Sequence, residues 1–181
     1  MKINCVWEHN GNDTLLYAVN LPGAYTRGER LEIAMGKMSA EAFSYLRWKN
    51  APCPDEIFVE VVQEAPCSLQ VRDADSDVLF EGEKAPLSMD EYLELKDLVL
   101  KSASDFFALY RSIPDKDRSN RPRRKTFYGQ VPRSAKEMYT HTKNVNAYYF
   151  GELDVAGDNE GDIYDCRYRG FKLLEQKKIS F

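Results

Sequence analysis

The chain has 181 residues, which is room for one ordinary domain or two small ones with a buried core. Hydrophobic residues make up 43% and charged residues 30%, a balance that excludes collagen-like, wholly disordered and disulfide-knotted proteins. The 25 basic and 29 acidic residues give a net charge of −4. The whole molecule is therefore not a general polyanion binder, and any nucleic-acid contact must be local.

Alternating apolar residues predict two strands at the start of the chain. The first strand places Ile3, Cys5 and Trp7 on one face. The second places Leu15, Tyr17, Val19 and Leu21 on one face. Residues 10–13, with the sequence NGND, predict a turn between the two strands.

The period then changes from two to between three and four, which predicts an amphipathic helix from about Leu31 to residue 48. A third strand is expected around residues 57–61. A hairpin is expected to pair residues 69–71 with 78–80 and to turn at residues 73–77.

Three aspartates in that turn have the spacing of a calcium loop, but Val78 and Lys84 stand where such a loop requires glycine and glutamate. The turn is therefore interpreted as structural.

The second half of the chain has the pattern of an all-helical domain. Capping boxes at Ser88 and Ser134 predict the starts of two helices. The second of these is expected to run past residue 148 with one apolar side, formed by Met138, His141, Val145 and Tyr148. A last helix is expected from about Asp162. The predicted fold class is therefore α+β, with a β-β-α-β module and its extra hairpin in residues 1–84 and a helical domain in residues 85–181.

The first module resembles the HicB-type antitoxin domain. The residues that carry the resemblance are 17–34, YAVNLPGAYTRGERLEIA, which resemble the strand, LPG turn, glycine and helix start of that family. Pro22 and Gly23 turn the chain out of the strand, and Gly28 permits a close approach to the helix. The resemblance covers about residues 1–65 and implies an α/β domain that binds and masks a protein partner.

The second half resembles the DinB-like four-helix bundle, here represented in part. The matching residues are 113–118, IPDKDR, and 131–149, VPRSAKEMYTHTKNVNAYY. The resemblance implies a divalent metal held by three histidines, and in some members the use of a low-molecular-weight thiol. His141 lies at the position of the first ligand, but no histidine follows it. His141 is therefore interpreted as a vestigial ligand or a buried histidine of the helix core, and no metal or other cofactor is expected.

A basic loop precedes this helix. Residues 118–133 contain six arginines and lysines and no acid, and residues 152–165 contain six acids and no base. Structural charge pairing, for example in an antiparallel dimer, is the favoured interpretation, and contact with RNA or DNA is the next. The candidate nucleic-acid-binding residues are Arg121, Arg123, Arg124, Lys125 and Tyr128.

The favoured hypothesis is a non-catalytic cytoplasmic interaction or regulatory protein. Its first module is expected to sequester a protein partner and its helical half to form a homodimer. A metal-dependent thiol transferase or hydrolase of DinB type is the alternative. RNA binding through residues 118–133 is a weaker one, so nucleic acid is not the expected partner. No signal peptide or membrane span is expected, and the four widely separated cysteines are expected to be reduced.

Overall fold

The computed structural model describes residues 1–119 and 121–177. The chain forms two compact units, Met1–Ala85 and Pro86–Phe181. The first is built on a four-stranded mixed sheet with one long helix, and the second is mostly helical. The prediction of an α+β protein is confirmed at this level. None of the described helices combines the length and apolarity needed to cross a membrane.

The sheet of the first unit has the strand order β3-β2-β1-β4. Strand β1 pairs antiparallel with β2 and parallel with β4, and β2 pairs antiparallel with β3. Helix α1 connects β3 to β4, as a parallel pairing requires. The elements are β1 (Lys2–His9), β2 (Thr14–Ala18), β3 (Tyr25–Gly28), α1 (Leu31–Trp48) and β4 (Phe58–Pro66).

One face of the sheet is covered by α1. Ile3 and Leu16 on this face and Met38 on the helix are fully buried. Gly28 ends β3 directly beside the start of α1, where a Cβ atom would lie 2.8 Å from the Cβ of Ile33. The prediction that Gly28 permits a close approach to the helix is therefore confirmed.

The opposite face of the sheet is covered by residues 71–80, and the predicted hairpin in this segment is wrong. The chain instead forms a 3-10 turn at Val71–Asp73 and a second one at Glu81–Lys84. Val71 is fully buried, and the polar groups of the segment bond to side chains of the sheet. For example, Gln63 donates to the carbonyl of Leu79 and accepts from the amide of Glu81. These bonds take the place of hairpin hydrogen bonds.

Because both faces are covered, the simple alternation predicted for the first two strands holds only in part. Val6 and Glu8 are buried as fully as Cys5, whereas Trp7 is half-buried. Strand β2 ends at Ala18, so the predicted strand residue Val19 lies beyond it. A strand that is covered on both faces loses the period-two signal from which its register was predicted.

The helical unit contains four helices and one small hairpin among the described residues. The predicted capping boxes are confirmed, because Ser88 and Ser134 each accept a hydrogen bond from the amide three residues later. The predicted last helix is also confirmed, with Asp162 as its N-cap. The elements are α2 (Met89–Ser112), β5 (Lys125–Thr126), β6 (Gly129–Gln130), α3 (Ala135–Asn144), α4 (Asn146–Gly151) and α5 (Ile163–Gln176).

The predicted helix that starts at Ser134 is broken at Val145, and its buried side differs from the prediction. Tyr139, Asn146 and Phe150 are buried, whereas Met138 and Tyr148 are exposed. His141 is exposed as well, so its interpretation as a buried core histidine is wrong. Polar contacts help to determine which side is buried. For example, the backbone amide of Ile163 donates a hydrogen bond to the Tyr139 hydroxyl at 3.1 Å.

Two small clusters form the core of the helical unit. The first consists of Tyr92, Phe150, Val155 and Leu174. The second consists of Ala103, Tyr139 and Ile163, with aromatic residues of α2 packed around it. Phe150 and Leu174 of the first cluster also line a cavity between the helices.

Candidate functional site

The helices of the second unit line an open apolar cavity of about 420 Å³. A cavity of this size and character is the usual form of a small-molecule site. Its wall is formed by side chains of α2, α3, α4 and α5 and of the residues beside α4. The principal apolar lining residues are Val99, Val145, Tyr149, Phe150, Leu153 and Phe171. Tyr149 and Leu153 are also largely exposed, so they form the rim through which the cavity opens.

Arg167 supplies the positive charge in the wall of this cavity. Its guanidinium donates to the Ser102 hydroxyl at 3.0 Å and to the Val99 carbonyl at 3.3 Å. Burial lowers the pKa of Arg167 from its ordinary value, but a guanidinium stays protonated in proteins. Within the described part of the chain, no carboxylate forms an ion pair with this arginine. The cavity wall therefore carries a positive charge bound only to neutral oxygens.

Arg169, two residues further along α5, shows the contrasting arrangement. Its guanidinium binds both carboxylate oxygens of Asp158. This pairing holds the pKa of Asp158 at about 2. Arg169 thus fastens the loop before α5 to the helix and has its own counter-ion, whereas Arg167 has none among residues 1–119 and 121–177.

The sequence predictions did not include Arg167, although the sequence contains a signal for it. The buried residues of α5 are Ile163, Cys166, Gly170 and Leu174. A residue at position 167 falls within this stripe at helical spacing. A charged residue inside an apolar stripe is unusual enough to mark a site. The partners of Arg167 come from α2, which only the tertiary structure could identify.

The predicted nucleic-acid-binding residues lie on and beside the β5–β6 hairpin. Phe127 and Tyr128 form its two-residue loop, and both rings are more than half exposed. The ring centroids are 5.0 Å apart and the planes are nearly perpendicular. The basic side chains that precede the loop are all exposed: Arg121, Arg123, Arg124 and Lys125.

His141 lies away from the cavity, on the wall of a second, open groove. Arg123 and Glu137 lie on the same groove. Across residues 1–119 and 121–177, no group of three histidine, cysteine, aspartate or glutamate side chains lies close enough to hold a metal ion. The structure therefore gives His141 no companion ligands among these residues.

The first unit contains one buried carboxylate that the sequence predictions missed. Glu8 is fully buried between β1 and the covering segment. It accepts from the Tyr17 hydroxyl and from the amide of Asp77, each at 3.3 Å. Burial, together with the charge of Glu8, raises the pKa of Tyr17 to about 12. These contacts fasten the covering segment to the sheet.

None of the four cysteines forms a disulfide in the structure. Cys5 is buried, and this burial raises the pKa of its thiol to about 11. Cys166 is buried too, and its thiol lies 3.0 Å from the carbonyl of Glu160. Neither thiol has the lowered pKa of a reactive cysteine.

Comparison with known proteins finds no match to this chain among family models, curated proteins or solved structures.

Proposed function

We propose that this protein acts by binding and not by catalysis, and that its β5–β6 hairpin contacts single-stranded nucleic acid. The observation that supports this proposal is the combination of unpaired cations and exposed aromatic rings on one hairpin. The proposal agrees with the non-catalytic interaction role predicted from the sequence. It adds that the basic loop, residues 118–133, binds nucleic acid.

The cations are available for phosphate binding. Among the described residues, no carboxylate lies within ion-pair distance of Arg121, Arg123 or Lys125. The nearby acids are used elsewhere, since Asp117 pairs with Lys136. Glu137 binds the backbone amides of Arg133 and Ser134, which lower its pKa. Cations without acidic partners keep their charge for a polyanion.

The aromatic rings favour a single strand over a duplex. Bases stack on exposed rings when they are not paired with each other, and each stacked base contributes roughly 1–3 kcal/mol. Phe127 and Tyr128 are 61% and 51% exposed at the tip of the hairpin. An unpaired strand could therefore place bases on the tip and phosphates on the basic arm.

The test is a fluorescence-anisotropy titration of a labelled single-stranded RNA at several salt concentrations. Replacing Arg121, Arg123 and Lys125 together by glutamine is expected to weaken binding at least tenfold. Because each phosphate contact to a single strand contributes a slope of about 0.7, the salt dependence should fall by about 2. Replacing Phe127 and Tyr128 by alanine should weaken binding with little change in the salt slope.

The matched control removes the same charge from the first unit. Arg30, Arg47 and Arg72 are exposed there, and their replacement by glutamine should leave RNA binding unchanged. Equal losses in the two triple variants would show a general charge effect and contradict the proposal. Absence of binding by the wild type, or binding that is insensitive to salt, would contradict it as well.

A second candidate role is self-association through the helical unit. Several large apolar side chains of this unit are more than 45% exposed, and they include Leu109, Tyr148, Tyr149 and Leu153. Tyr148, Tyr149 and Leu153 lie within six residues of each other, and exposed apolar side chains grouped in this way often mark an interaction surface. Glu152, Asp154 and Glu160 are exposed near α4, so a second copy could place its basic hairpin against them.

Light scattering during size-exclusion chromatography tests this role. The wild type is expected to elute as a dimer, and replacing both Tyr148 and Leu109 by serine should shift it toward the monomer. Lys172→Ser, an exposed change elsewhere on the unit, should leave the dimer unchanged. A monomeric wild type at high protein concentration would reject the role.

The HicB resemblance also leads us to propose a protein partner for the first unit. The edge strand β4 offers backbone groups for such a partner, because it pairs with β1 on one side only. The metal-enzyme alternative has no supporting contact at His141 within the described residues.

A further inference from the structure

We infer that the cavity of the helical unit binds a small amphipathic carboxylate, with its apolar chain between the helices and its carboxylate on Arg167. This site is separate from the hairpin, and the inference does not depend on nucleic-acid binding.

The shape and lining of the cavity determine the apolar part of the ligand. Its volume of about 420 Å³ lies within the range of small-molecule sites. The wall includes the rings of Tyr149, Phe150 and Phe171 and the side chains of Val145 and Leu153. A flexible alkyl chain or a small aryl group would remove this apolar surface from water, and the free-energy gain scales with the area buried.

The charge determines the polar end of the ligand. Taking a guanidinium out of water costs free energy, and this cost is normally offset by a carboxylate partner. Among the residues that the structure describes, the partners of Arg167 are the Ser102 hydroxyl and the Val99 carbonyl, and both are neutral. A guanidinium has five N–H donors in a planar fork, so it can hold a carboxylate while it keeps these two bonds.

Arg169 shows that an arginine on the same helix can have a carboxylate counter-ion when it lies outside the cavity wall. Both arginines are on α5, and the one outside the cavity wall has Asp158 as its counter-ion. The bonds of Arg167 to Ser102 and Val99 go to neutral oxygens, so neither of them uses its charge. A carboxylate ligand explains both the charge and the cavity.

Isothermal titration with decanoate below its micelle concentration tests the inference, and decanol serves as the neutral probe of equal chain length. The wild type is expected to bind decanoate at least tenfold more tightly than decanol. Arg167→Gln should lower decanoate affinity at least tenfold and leave decanol affinity unchanged. The matched control, Lys172→Gln, removes one charge from an exposed position of the same helix and should change neither affinity.

A second variant keeps the test decisive if Arg167→Gln does not fold. Val145→Phe fills the cavity without altering the charge, and it should abolish binding of both probes while thermal unfolding stays cooperative. Equal binding of decanoate and decanol by the wild type would overturn the inference. Unchanged binding in Val145→Phe, or equal loss in Arg167→Gln and Lys172→Gln, would do so as well.

Discussion

Replacing Gly170 by alanine is expected to lower the free energy of unfolding by about 1–3 kcal/mol, the usual effect of overpacking. A Cβ at this position would lie 2.2 Å from Cε2 of Phe150 and 2.5 Å from two other ring atoms. Phe150 is itself buried in the cluster with Tyr92 and Leu174, so the ring has little space to move. The clash should exceed the gain of roughly 1 kcal/mol that alanine has over glycine inside a helix.

Urea denaturation measures this effect, and Gly36→Ala is its control. Gly36 is inside α1, but a Cβ there would meet nothing within 4 Å. The control should therefore stabilise the protein, or leave it unchanged, because only the helix propensity differs. A second substitution, Phe150→Leu, should recover part of the stability lost in Gly170→Ala by making room for the methyl group. Similar effects of the two glycine substitutions would contradict the proposed clash.

Replacing Glu8 by alanine is expected to lower the free energy of unfolding by about 1–3 kcal/mol, because the change removes the partner of two hydrogen bonds at a buried position. The Tyr17 hydroxyl and the Asp77 amide both donate to this carboxylate. Without these two hydrogen bonds, residues 71–80 should separate from the sheet more readily than the sheet itself unfolds. Hydrogen exchange at the Asp77 amide should therefore become faster than exchange within β1.

The pH dependence of Tyr17 offers a second measurement. In the folded wild type, burial first and then Glu8 raise the pKa of Tyr17 from 10.0 to about 12. The contribution of this tyrosine to stability is complete below pH 10 and is lost as the pH rises toward 12. The difference between the tyrosine absorbance titrations of the wild type and the Glu8→Ala variant should show one tyrosine whose pKa is lower in the variant.

Glu64→Ala is the matched control for the buried carboxylate. Glu64 is on β4 and pairs with His9 at an exposed position. Its loss should change the free energy of unfolding by less than about 1 kcal/mol, as for exposed ion pairs. Equal effects of the two glutamate substitutions would show that the contacts of Glu8 do not stabilise the covering segment.

Much of the local structure could be predicted from the sequence because its signals are local. The capping boxes at Ser88 and Ser134 and the N-cap at Asp162 act within one helical turn, so their residues alone determine where the helices begin. The close approach at Gly28 was predictable for the same reason, since its neighbour Ile33 follows five residues later.

The incorrect predictions concern contacts between residues far apart in the chain. The hairpin prediction pairs residues 69–71 with residues 78–80, but Asp77 and Leu79 bond instead to Glu8 and Gln63 on the sheet. The buried side of α3 and α4 was misassigned, because Tyr139 bonds to the start of α5, and this leaves His141 exposed.

The sequence by itself determined the α+β class, the starts of the main helices and the candidate residues of the basic hairpin, all through patterns within a few neighbouring residues. Only the tertiary structure decided which faces are buried and where Arg167 points. These features depend on contacts between α2, α4 and α5 around a cavity. The contacting residues are far apart in the chain, so patterns among neighbouring residues do not predict the contacts.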